Sequence, residues 1–133
     1  MQGFKLRIVA DESSFMNVCL HREPILDQDY AFKHCNMGTS WQCRLLKNYH
    51  FYACSTLPNL PFLIDYFPEL KETSLGKLNV EENGIDIRNH TNEEIEAFLT
   101  HSVPACQFCN VDHSKYFRPW AFTQYDVSEW VED

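Results

Sequence analysis

The sequence predicts an α+β fold: a small single domain with a cysteine-bearing β-hairpin, short strands and one or two short helices. Three observations carry this expectation. The chain has 133 residues, room for one compact domain over 1–133. Apolar residues make up 44% of it, enough to build one core and too many for a disordered chain. Segments of period 2 sit beside a capped segment of helical period, with no linker, repeat or low-complexity stretch to divide them.

Taken in order, Phe4, Leu6 and Ile8 share one face against Lys5 and Arg7, the pattern of a half-buried strand. Residues 11–30 are mixed and polar, contain Pro24, and read as loop with at most a short helix. Arg44 to Lys47 and His50 to Ala53 predict two short strands about a turn at Asn48-Tyr49. The stretch bearing Pro58, Pro61, Phe62, Tyr66, Phe67 and Pro68 is expected to be irregular but packed, and Leu75 to Val80 to be another short strand. The clearest helix runs from Asn92 to Thr100. Thr91 and Glu94 form a capping box, Ile95, Phe98 and Leu99 line one face, and Pro104 is the expected stop. Asp126 with Glu129 repeats the cap before a short C-terminal helix carrying Trp130.

Charge narrows the function classes. Eleven basic against 19 acidic residues give −8, which disfavours nucleic acid and anionic membrane surfaces as partners, because both demand clustered Lys and Arg. The four glycines form neither GxGxxG nor GxxxxGK[ST], so no phosphate-cradling loop is expected. The alternating N-terminus lacks the unbroken apolar run of a signal peptide, and no stretch is apolar enough to span a bilayer. The expectation is therefore a cytoplasmic protein with reduced thiols. Six cysteines in that setting point to metal or redox chemistry ahead of a disulfide framework.

The cysteines stand at positions 19, 35, 43, 54, 106 and 109. If Asn48 and Tyr49 are the two central residues of a tight turn, Lys47 faces His50 and Cys43 faces Cys54. Cross-strand partners have Cβ atoms about 4.5–5.5 Å apart, so both sulfurs could reach one centre. Such a turn needs φ > 0 at both positions; Asn48 suits it, whereas Tyr49 is strained where Gly would not be. Cys106-Gln107-Phe108-Cys109 is a CxxC, able to chelate one ion or cluster or to exchange disulfides. Redox exchange expects a strand before it and a helix after it, and neither is predicted, so ligation is the better reading. Cys35 reaches the hairpin base through residues 36–40. Cys19, in the apolar run Phe15 to Leu20, reads as a small core residue. Five candidate thiolates, Cys35, Cys43, Cys54, Cys106 and Cys109, select a soft metal: zinc, or an iron–sulfur cluster held by four cysteines. On the residues alone zinc, the commoner structural solution, is slightly favoured.

The spacing Cys-x7-Cys-x10-Cys, a long gap and Cys-x2-Cys resembles the C-terminal auxiliary-cluster region (SPASM or twitch type) of radical S-adenosylmethionine proteins. Flanking residues are similar too: Cys43-Arg44-Leu45-Leu46-Lys47-Asn48, Phe51, Tyr52 and Cys54, then Ile85-Asp86-Ile87, Glu93 to Leu99, Val103 to Cys109 and Val127 to Trp130. The likeness covers 33–133, leaving 1–32 as a strand-and-loop lead-in. It implies that Cys35, Cys43 and Cys54 supply thiolates around the hairpin. Cys106 or Cys109, or both, then complete a [4Fe–4S] centre, which reverses the preference for zinc. It also implies partners: a radical S-adenosylmethionine barrel and its peptide or small-molecule substrate. The chain departs from that pattern in two places. Tyr49 stands where the hairpin turn usually has Gly, and no CxxxCxxC loop exists to bind a catalytic cluster. The function implied is an accessory domain without catalysis of its own, supporting electron transfer or substrate positioning. The alternative is a non-catalytic interaction domain closed by one zinc on Cys43, Cys54, Cys106 and Cys109.

Other candidates weigh less. His34, His50 and His113 lie near cysteines in sequence, yet such histidines are more often surface groups than ligands. Phe51, Tyr52, Phe108, Tyr116, Phe117 and Trp120 could screen a cluster from water, but mainly read as core. Glu93, Glu94 and Glu96 sit in a helix's first turns, where acids suit the dipole. No Ser/His/Asp or Cys/His catalytic set is supported by spacing, so no catalytic residue is assigned.

Overall fold

The computed structural model describes residues 14–16, 19–112, 117–119 and 121–133. The expected strand from Phe4 to Ile8 lies outside them. Within them the chain is an α+β domain of short elements. Strand β1 (Ser14–Met16) pairs antiparallel with β6 (Phe117–Pro119), and β2 (Leu20–His21) pairs parallel with β7 (Val131–Glu132). A three-stranded antiparallel sheet takes the order β3 (Leu45–Lys47), β4 (His50–Tyr52), β5 (Ile85–Asp86). The helices are α1 (Gln28–His34), α2 (Leu60–Tyr66) and α3 (Asn92–Leu99). No helix among the described residues is long and apolar enough to cross a membrane.

The hairpin has the register expected from its turn. Lys47 pairs with His50 and Leu45 with Tyr52, while Asn48 and Tyr49 take φ of 50° and 64°. Tyr49 thus holds the left-handed conformation that favours glycine. Its ring carries the Arg88 guanidinium 4.6 Å from the centroid, a compensating contact on the same residue. Helix α3 begins with both halves of the capping box, Glu94 N–H to the Thr91 hydroxyl and Thr91 N–H to the Glu94 carboxylate. It ends at Leu99, however, and Pro104 opens the next 3-10 turn, Pro104–Phe108, rather than stopping α3.

The proline-rich stretch is helical, not irregular: a 3-10 turn at Leu57–Asn59, then α2, then a 3-10 turn at Pro68–Glu72. Each of these has proline in its first positions, where the missing N–H would have had no helical partner anyway. Leu75 to Val80 is turn rather than strand; Leu75 is buried, and its N–H donates to the Arg22 carbonyl at 3.0 Å. The C-terminal cap of Asp126 and Glu129 forms, but only a 3-10 turn, Val127–Glu129, follows. Trp130 lies beyond it because its carbonyl is taken by the Leu20 N–H at 2.9 Å, which draws the chain into the pairing with β2.

Two clusters make the core. The larger holds Leu20, Leu60, Phe67, Leu70, Leu75, Phe108 and Val131; the smaller holds Tyr52, Leu57, Val103 and Ala105. Leu78 and Val80 pack against both and join them. Gly76 lets the turn close onto the 3-10 segment beneath, since a Cβ there would strike the Leu70 carbonyl and lie 2.8 Å from the Lys71 Cα. Backbone cannot swing aside as a side chain can. Gly76→Ala is therefore expected to lower unfolding free energy by about 1–3 kcal/mol, the range for overpacking, read as a drop in the urea midpoint at unchanged m. An unaltered midpoint would show that the turn does not close here.

Candidate metal centre

Four of the five predicted cysteines come together. Cys35 is the C-cap of α1, a helix started by Asp27, whose carboxylate accepts the Tyr30 N–H. The Cys35 carbonyl is held by both the N–H and the hydroxyl of Thr39, at 3.1 and 2.6 Å. Cys54 follows β4 in a bend, two residues past the buried Tyr52. Cys106 and Cys109 belong to the 3-10 turn Pro104–Phe108 and its cap, closed by the Cys109 N–H on the Cys106 carbonyl at 3.1 Å. Three residues per turn put positions i and i+3 in line, so this geometry sets the two cysteines on one side.

That turn is tied down on several sides. Ala105 N–H donates to Asn83 Oδ1 at 2.8 Å, and Ile25 and Leu26 N–H groups both donate to the Gln107 carbonyl. Cys109 bridges to Leu20, and Asn110 N–H donates to the Cys19 carbonyl at 3.1 Å. The result is a small cavity of about 30 Å3 lined by Cys35, Cys54, Cys106 and Cys109, with Phe32, Leu57 and Val103 among its apolar walls. A void of that size takes a water-sized occupant.

The thiols sense one another. Burial pushes the Cys54 thiol up, with Cys35 and Cys43 adding to the rise and backbone hydrogen bonds from Leu57 and Thr56 opposing it. Burial, chiefly, carries Cys106 up to about 11, and raises Cys109 well above the ordinary thiol value, with Cys54 and Cys35 contributing to both. None of these cysteines is in a disulfide. Among the described residues, no three His, Cys, Asp or Glu side chains already stand in an arrangement that could hold a metal ion.

Cys43 is placed differently from the expectation. Extending the hairpin register sets it opposite Cys54, and it acts electrostatically on that thiol, yet it does not line the cavity. The reason lies just before β3, where Gln42 takes a φ of 48° and the Cys43 N–H donates to the Met37 carbonyl at 2.8 Å. Cys35, expected in the same set, does line the cavity. Cys19 is 1% exposed in the core, as its apolar setting predicts. His34 and His50 turn Nδ1 toward the carbonyls of Tyr30 and Asn48 and do not line the cavity; His113, Tyr116 and Trp120 lie outside the described residues. Tyr52 and Phe108 are core, Phe51 is half-buried, and Glu93, Glu94 and Glu96 are exposed. The wall residues Ala31 and Phe32 come from α1, which starts in the stretch 11–30 expected as loop with at most a short helix. Asp27 as a cap and Lys33 and His34 in a last turn are the signal that marks it.

Compared with known proteins, the chain matches no family model, no curated protein and no solved structure.

The geometry orders the thiols by reactivity. Burial holds the Cys106 thiol up at about 11 and the Cys109 thiol well above the ordinary value, so both resist ionisation at about pH 8. Iodoacetamide is therefore expected to label the half-buried Cys43 well before Cys106 and Cys109. Peptide mass mapping over time reads the order, and early labelling of Cys109 would contradict the enclosed placement.

Proposed function

We propose that Cys35, Cys54, Cys106 and Cys109 hold one metal centre, and that the chain is the iron–sulfur accessory domain of a radical S-adenosylmethionine system. The observation that carries this is the meeting of four thiols, from three separated stretches of chain, around one apolar-walled cavity. Such an all-sulfur donor set fits soft metals. The cysteine spacing, similar to the auxiliary-cluster region, favours the [4Fe–4S] form. Bound there, the group supplies one-electron transfer or a structural anchor. The chain's own part is to bring the thiols together, to exclude water with Phe32, Leu57 and Val103, and to give up the thiol protons on loading. Its partner is then a barrel bearing CxxxCxxC, with a peptide or small-molecule substrate, in a reducing compartment such as the cytoplasm. The second reading, a structural zinc on the same four thiols, is favoured by the cavity's size of about 30 Å3, closer to one ion than to a cluster.

Protein purified without oxygen and assayed for iron, sulfide and zinc tests both readings. Brown protein with iron and sulfide supports the cluster, and colourless protein with one zinc supports the alternative. Serine at Cys35, Cys54, Cys106 or Cys109 is expected to empty the site and reduce the folded population, because metal binding is coupled to folding. Cys43→Ser is expected to keep its metal, and Cys19→Ser to keep it at a cost of about 1–2 kcal/mol in packing. Full metal in both Cys54→Ser and Cys106→Ser sinks the assignment.

The reconstituted chain alone is expected not to cleave S-adenosylmethionine, since it has no CxxxCxxC to hold a cluster with an open iron. Reductive cleavage above a cluster-only control would remove the accessory role.

A further inference from the structure

A second concavity lies away from the cysteines. Helix α2 and residues 123–130 enclose an open groove of about 360 Å3, within the size range of ligand sites, and share no lining residue with the cysteine cavity. Four aromatic rings line it and remain exposed: Phe62 at 66%, Tyr66 at 59%, Tyr125 at 70% and Trp130 at 41%. Six of the seven α2 residues are apolar or aromatic, Asp65 being the exception. A helix that apolar all round is normally covered on every side, and here its Phe62 and Tyr66 flank faces the groove. Tyr125 is held at a φ of 60°, a left-handed conformation that bulky residues avoid and that functional positions retain.

The formal charge carried by the two segments that line the groove has one sign. Helix α2 and residues 121–133 contain Asp65, Asp126, Glu129, Glu132 and Asp133 and no Lys, Arg or His. From neighbouring segments, Lys71 lies 3.8 Å from Asp65, and Arg22 lies 2.7 Å from Asp133. Asp126 is kept ionised by its hydrogen bonds with Ser128. Aromatic faces carry negative potential at their centres, so rings and carboxylates attract the same ligand. One ring already shows this preference within the chain: the Lys47 ammonium sits 4.4 Å from the Phe62 centroid.

We propose that this groove is a binding site for a cationic side chain, arginine or lysine, presented by a partner polypeptide. Ring faces stack on the guanidinium or ammonium, and Asp65 and Asp126 supply the countercharge. Nucleic acids and anionic lipids are repelled by the same walls. The inference stands independently of the metal centre, since none of its residues touches the cysteine cavity.

The full chain is titrated with Nα-acetyl-arginine methylamide, its lysine counterpart, and the neutral citrulline isostere, observing ring resonances by NMR. Saturable shifts of Tyr66, Tyr125 and Trp130 in the millimolar range are expected with the cations, with citrulline at least roughly fivefold weaker. The double variant Asp65→Asn, Asp126→Asn is expected to weaken the cations about threefold while leaving citrulline unchanged. It keeps the fold, because Asn caps a helix as well as Asp does. Tyr66→Ala, at an exposed position, is expected to abolish saturation. Equal affinity for citrulline, unchanged binding in Tyr66→Ala, or no saturable shift with either cation overturns the proposal.

Discussion

The start of the CxxC turn, and with it one side of the cysteine cavity, is anchored by one buried side chain, that of Asn83. It is 3% exposed, its Nδ2 donates to the Asn79 carbonyl at 2.9 Å, and its Oδ1 accepts the Ala105 N–H at 2.8 Å. The second bond fixes the start of the 3-10 turn that carries both cysteines of the CxxC. A buried amide with its partners in place adds modestly to stability, but leaving Ala105 N–H unpaired costs about 1–3 kcal/mol. The position is thus strongly specified: the turn is either docked on Asn83 or expensively undocked.

This matters because the domain has little regular structure with which to hold a site. Its longest helix is α3, and several of its strands have only two or three paired residues. Placement of the thiols falls to hydrogen bonds between irregular segments: Gln107 with Ile25 and Leu26, Asn110 with Cys19, Cys35 with Thr39. The centre proposed on Cys35, Cys54, Cys106 and Cys109 would link the end of α1, the hairpin and the CxxC turn, the three stretches from which those thiols come. Ligation and folding then draw on the same free energy.

What the sequence disclosed follows from range. The hairpin register, the box at Thr91 and Glu94, and the cap at Asp126 are local matters, settled by turn residues and by spacing within a few positions. The prolines at 58, 61 and 68 misled because a proline forbids the middle of a helix but suits its beginning, and only the positions of neighbouring starts distinguish the two. Leu75 to Val80 has a strand's composition, yet Gly76 packs on the Leu70 backbone and the segment closes as a turn. The absence of Cys43 from the cavity wall goes with a left-handed Gln42, which no pattern of hydrophobicity announces. The aromatic groove is built from segments about sixty residues apart, and Phe62 and Tyr66 read as core until their exposure is seen.

The two concave regions are backed by the same larger core cluster. Cys109 lines the cysteine cavity and also packs against that cluster, to which Leu63 and Phe67 of the groove likewise belong. Helix α2 is the intermediary: Leu60 and Leu63 contact the core, while Phe62 and Tyr66 line the groove. Close-packed interiors deform as units, because a void or an overlap at one contact is felt by its neighbours. Because the Cys109 turn and α2 pack on one cluster, a substitution that opens a void at one is felt at the other.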